Sequence, residues 1–174
     1  DKGNEGVYET RKDIGIRIVD KLNGKNHPFI DHYKRLKELA GESEIKQCIP
    51  SPSHVYGEQA LFGGLSGGYY DGKVDEFEKD LKASYKDFIK EYKEAGGEII
   101  QFDDCLWEIF SEDNKNAPIS EKARPSQELA EKFISINNEV IAYAHDLGLK
   151  VYAHNCRGNY ESRSASDGTY ESIA

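Results

Sequence analysis

A parallel α/β fold is what the 174-residue sequence predicts, and three observations predict it. Short strand-like runs, "EIKQCIPSP", "EIIQFDDCLW" and "LKVYAHNC", are rich in β-branched and aromatic residues. Long runs of helical periodicity separate them, and chains of that length are what parallel strands need as crossovers. The order strand, helix, strand, helix, strand, helix, strand fits two architectures: a section of a (β/α)8 barrel or an open doubly wound sheet.

Taken in order, the opening residues to Lys12 are polar and read as a loop. "GIRIVDKL" (15–22) alternates as a strand does, and "NGKNHP" breaks it with turn residues. In "FIDHYKRLKELAG", Ile30, Tyr33, Leu36 and Leu39 recur at helical spacing before Gly41. Residues 44–52 form the next strand, ending in a proline-bearing turn. The glycine-rich stretch from Ser53 to Gly72 is too long for an ordinary connection and reads as a functional or mobile loop. Residues 73–97 give the strongest helix, with Val74, Phe77, Leu81, Tyr85, Phe88 and Tyr92 on one stripe and Gly96–Gly97 as the stop. "EIIQFDDCLW" (98–107) is a strand, 111–127 a polar loop, 128–148 a helix closed by Gly148, and "LKVYAHNC" the last strand.

The chain carries 23 basic and 32 acidic residues, net −9. A nucleic-acid surface needs a basic patch, and none is present. No apolar run approaches the roughly 20 residues of a membrane-crossing helix. Three cysteines at irregular spacing suit a reducing compartment, so the cytoplasm is expected. There is no GxGxxG and no GxxxxGK[ST], and hence no support for a nucleotide site. No internal repeat or domain boundary is visible. The sequence lacks methionine, opens on "DKGNEG" and stops at "DGTYESIA", so a fragment or a sequence with omitted residues is expected.

Residues two apart on a strand share a face. Tyr152, His154 and Cys156 therefore point one way and Val151, Ala153 and Asn155 the other; Gln101 and Asp103 oppose Ile100, Phe102 and Asp104. The small and apolar sets would pack under helices. The polar sets would then line a barrel interior near the carboxyl ends of the strands, where such barrels keep their active sites. An imidazole and a thiol two residues apart are a sensible start to a four-coordinate zinc site, although two donors cannot close one and a buried cysteine often serves only as a small apolar residue. Zinc would hold a substrate thiol as thiolate for attack on a methyl electrophile. Asp103 could take a substrate ammonium while Asp104 anchors the next loop; equally, both could be solvated carboxylates. His27, His32, His54 and His145 lack partners at ligand spacing, and Trp107, Tyr56, Tyr69 and Tyr70 are read as packing.

With "IPSP" and "NHPFIDHYKRLKEL" upstream, "EIIQFDDCLW" and "KVYAHNCRGN" together make the chain resemble the cobalamin-independent methionine synthases (5-methyltetrahydropteroyltriglutamate–homocysteine methyltransferases). The likeness is to their short, single-barrel branch, and "HNCRGN" is its most specific part. The resemblance implies a (β/α)8 TIM-type barrel, of which residues 1–174 hold a central portion of a single domain. It also implies methyl transfer from 5-methyltetrahydrofolate to homocysteine, in methionine biosynthesis. On that likeness His154 and Cys156 are zinc ligands, Asp103 contacts the substrate amino group, and the remaining ligands lie beyond Ala174. Cys105 stands where the family usually has proline. The partners expected are a small thiol acceptor and a methyl donor, with neither nucleic acid nor membrane. The competing readings are a barrel that binds a ligand without turnover through "GGLSGGYY", and a zinc thiol methyltransferase using another donor.

Overall fold

The computed structural model describes residues 17–110, 126–156 and 171. Elements follow in the order α1 (Pro28–Ala40), β1 (Lys46–Pro50), α2 (Pro52–Ala60), α3 (Val74–Glu94), β2 (Ile99–Asp104), a 3-10 turn (Leu106–Phe110), α4 (Gln127–Asp146) and β3 (Lys150–Asn155). The three strands are parallel, in the order β1-β2-β3. Register pairs Pro50 with Asp103, Asp103 with His154, and Asp104 with Asn155.

This corrects the expectation of a (β/α)8 barrel. Closure needs strands enough to bring the first edge back to the last. Here β1 and β3 are the two edges of a small open sheet among the described residues. Alternating strand and helix signals specify parallel pairing, which is present, and cannot specify closure, which is absent among the described residues. As a result Tyr152 and His154 stand exposed on a sheet face that the described residues leave uncovered, not in an enclosed lumen.

The other face of the sheet is covered. Ile49 of β1 and Ile100 and Phe102 of β2 pack with Ile30, Tyr33, Phe88, Ile89, Tyr92, Val140 and Ala144 from three helices. Each Ile, Val or Phe side chain so withdrawn from water contributes roughly 1.5–3 kcal/mol. A second cluster, built on Tyr56, Tyr70, Phe77, Leu81, Phe133 and Ile136, joins α2, α3 and α4 beyond the strand ends. On the edge strand β3, Val151 is half-buried but Ala153 is exposed, so the expected helix cover stops short of it.

Three elements differ from their sequence reading. Residues 17–22 form no strand. They belong to a strap along α3: Lys21 pairs with Asp80 (3.2 Å), the Leu22 amide donates to Tyr70 Oη (2.9 Å), and the Asn26 amide donates to Glu91 (2.8 Å). Alternation there records one-sided packing of Ile18 and Leu22. In α1 the apolar stripe is used only halfway, since Ile30 and Tyr33 are buried while Leu36 and Leu39 face solvent. The "proline-bearing turn" after β1 is the start of α2, with Ser51 as N-cap accepting the His54 amide (3.0 Å) and Pro52 at the first position. The glycine-rich remainder, residues 61–72, is packed around Tyr70, whose hydroxyl donates to Asp80 (2.9 Å) and is pushed up to about 12 by burial.

α3 ends as expected: Gly96 takes φ +90°, and the Gly97 amide returns to Tyr92 O (2.9 Å). The polar loop expected over 111–127 falls outside the described residues until Ser126, which caps α4 through the Leu129 amide (3.1 Å). Among the described residues no helix is long and apolar enough to cross a membrane.

Candidate functional site

Asp103 sits near the carboxyl end of the central strand, half-buried on the uncovered face. Its Oδ1 accepts from Gln101 Nε2 at 2.6 Å, two residues back on the same face. Its register partners are Pro50 on one side and His154 on the other. The parallel ladder continues one step past β3, because the Cys156 amide donates to Asp104 O (2.9 Å). The backbone therefore brings Asp103, His154 and Cys156 to the carboxyl corner of the sheet, with Asp103 and His154 in register. His154 is exposed and Cys156 half-buried. As donors for a metal, this pair offers one imidazole nitrogen and one sulfur, the chemistry zinc prefers but only half its usual number. Among the described residues no group of three or more His, Cys, Asp or Glu side chains could hold a metal ion.

Asp104, on the opposite side of the strand, is buried in a polar network that sequence reasoning missed. Its Oδ2 accepts the hydroxyls of Ser51 and of Ser53 (2.6 Å), and its Oδ1 accepts the Leu106 amide at 2.8 Å. Ser53 is held in turn by Asn137 of α4, which donates Nδ2 to the hydroxyl and accepts the amide, both at 2.9 Å. Burial alone would raise the Asp104 pKa. The His54 contact and the three hydrogen bonds outweigh it and hold the group below the ordinary carboxylate range.

His54 closes this network. Its Nδ1 lies 3.6 Å from Asp104 Oδ1 and 3.7 Å from Cys105 Sγ, and its Nε2 lies 3.7 Å from Glu58. The Asp104 interaction, then that with Cys105, pushes the imidazole up to about 10 against the cost of burial. His54 is thus an imidazolium at neutral pH. The Cys105 amide is also directed at Nδ1, at 3.5 Å. A cysteine, a histidine and an aspartate in contact suggest a nucleophile relay, but a relay uses both ring nitrogens. Here one nitrogen meets both Asp104 and Cys105, so the arrangement is an ion pair and not a hydrolase triad.

One signal for this network was present in the sequence: serine followed by proline marks a helix start, which would have turned Ser53 and His54 inward. Of the other residues singled out, His27 caps α1 by accepting the Phe29 amide (3.2 Å). Trp107 stacks edgewise on Phe133, and Tyr56 and Tyr70 are buried. A mostly apolar cleft of about 240 Å³, lined by residues that include His27, Pro50, Val55, Tyr85 and Phe88, contains none of Asp103, His154 and Cys156.

No family model matches the chain. The YxjH protein of Bacillus subtilis is 32% identical over 160 residues, 91% of this chain and 41% of that protein. YxjG of the same organism is 29% identical over 160 residues, 92% of this chain and 41% of its own length. The chain thus spans about two fifths of the curated relatives it matches. A solved Listeria monocytogenes structure, described as a "Putative Vitamin-B12 Independent Methionine Synthase", superposes with a TM-score of 0.65 at 27% identity, over 83% of this chain and 42% of that one.

Proposed function

We propose that this chain carries part of the acceptor site of a methyltransferase related to methionine synthase, which places a methyl group on a small thiol. The observation that carries the reading is the backbone juxtaposition of Asp103, His154 and Cys156 at the carboxyl corner of the sheet. The similarity to the Listeria protein supports it. Homocysteine is the proposed acceptor, 5-methyltetrahydrofolate the proposed donor, methionine biosynthesis the proposed pathway and the cytoplasm the proposed location.

His154 and Cys156 would hold zinc, with further donors from residues outside those described, and zinc bound there supplies the charge that keeps an acceptor thiol ionised at neutral pH. Asp103 takes the ammonium of an amino-acid thiol. The Gln101 amide fixes one of its oxygens and leaves the other for the substrate. Binding the ammonium and the sulfur at separate points orients the nucleophile, and much of the rate gain comes from that positioning. Asp104 is committed to Ser51, Ser53 and Leu106 and takes no part in substrate binding.

Metal analysis of the purified full-length protein tests the assignment. One zinc per chain is expected, and His154→Ala or Cys156→Ser should each abolish it together with thiol methylation. Full zinc in both variants would overturn it.

A further inference from the structure

We propose that Cys105 and Cys156 form a reversible disulfide when a peroxide oxidises them, a modification site that bridges the ends of β2 and β3. Each is the residue following a register pair, Asp104 with Asn155, and the Cys156 amide bonded to Asp104 O carries the ladder on to them. Neighbouring strands lie roughly 4.8 Å apart, and a disulfide accepts α-carbons about 4.4–6.8 Å apart. Cys105 follows the last residue of β2, where strand alternation ends, and its sulfur lies beside His54, so rotation about its Cα–Cβ bond must bring it to Cys156. Cys48, the third cysteine, pairs with Gln101. Four residues of strand, about 13 Å, separate it from Cys105 and exclude it as the partner. Both members of the pair are half-buried, within reach of a small oxidant.

Cys105 Sγ now contacts His54 Nδ1 at 3.7 Å, and forming the bond exchanges that contact for Cys156. In the first step one sulfur attacks hydrogen peroxide. An S–O bond forms, the O–O bond breaks, and the thiol proton leaves with the second oxygen as water. The other sulfur then attacks the sulfenic sulfur, forming S–S and breaking S–O, and the hydroxyl leaves with the second thiol proton as water. Two thiols lose two electrons and two protons, and one peroxide becomes two waters. The bond rests on the register alone. Its consequence, withdrawal of Cys156 as a metal donor, rests on the zinc reading above.

The test is peroxide treatment of reduced, chelator-washed protein, followed by digestion without reductant and mass spectrometry. A Cys105 peptide joined to a Cys156 peptide, two hydrogens lighter than their sum and separated again by dithiothreitol, is expected. Cys105→Ser and Cys156→Ser should each remove it, and the wild-type result stands by itself if either variant fails to fold. No linked peptide, a link through Cys48, or a link only between chains overturns the inference. Zinc measured before chelation separates the two proposals: a linked pair in a protein that binds no zinc sinks the metal site alone, and bound zinc without a link sinks the disulfide alone.

Discussion

Asn137, midway along α4, grips Ser53 at the start of α2 with both ends of its amide: Nδ2 donates to the hydroxyl and Oδ1 accepts the backbone N–H, each at 2.9 Å. Through Ser53 this contact reaches Asp104 at the end of the central strand. Two helices and the strand that carries Asp103 are therefore fixed against one another by polar contacts as well as by their apolar packing. Asn137→Ala leaves the Ser53 amide, in a fully buried residue, without its acceptor. An unfolding free energy lower by about 1–3 kcal/mol is expected from denaturant titration.

The His54–Asp104 pair makes stability depend on pH. The His54 pKa is raised from 6.5 to about 10, so its contribution is fully present below about pH 6.5 and is lost as pH rises toward 10. Asp104 is shifted down, so its contribution is present above its ordinary value of 3.8 and disappears as pH falls through the lowered one. Melting temperature should decline from pH 6.5 to 10 in the wild type, and that slope should flatten in His54→Gln. An unaltered slope in the variant would remove the ion pair from the account.

Gly24 lies against the backbone of α3, where an added β-carbon would come within 1.8 Å of Ser84 O. The strap must then lift or the helix must move. Gly24→Ala should destabilise by about 1–3 kcal/mol. It should also speed amide exchange at Leu22, whose N–H is tied to Tyr70. A neutral substitution would mean that the strap is not seated as described.

Asp103→Asn preserves shape and removes charge. With an amino-acid thiol as acceptor, the Michaelis constant should rise about tenfold or more while maximal turnover changes less, in line with a lost charged hydrogen bond of roughly 1.5–3 kcal/mol. A thiol without an amino group should show no difference between wild type and variant. Equal constants for the amino-acid thiol would exclude Asp103 from its site.

Long, strongly patterned elements were legible in the sequence. The α3 stripe, apart from Val74, which is exposed, and its Gly96–Gly97 stop follow from periodicity and from the freedom of Gly96 at positive φ, both properties of adjacent residues. The register that sets Asp103 beside His154 follows from strand signals joined to parallel order. Closure of the sheet is a relation between the first and last strands, and no local pattern carries it. Val19 and Ile18 alternate as strand residues do, yet whether such a run pairs with a neighbour or lies along a helix is decided elsewhere in the chain. The His54 cluster was hidden for the same reason: Ser51, His54, Asp104 and Asn137 are scattered over 87 positions, and only the fold assembles them. Its one local sign, Ser51 before Pro52, was read as a turn.

The Ser51 hydroxyl has a single proton, which goes to Asp104, while its oxygen receives the His54 amide. Helix initiation and carboxylate burial thereby depend on the same atom, and neither can come undone without the other. Exchange of the His54 and Leu106 amides with deuterium should accordingly proceed as one cooperative event, even though 52 residues of chain separate them.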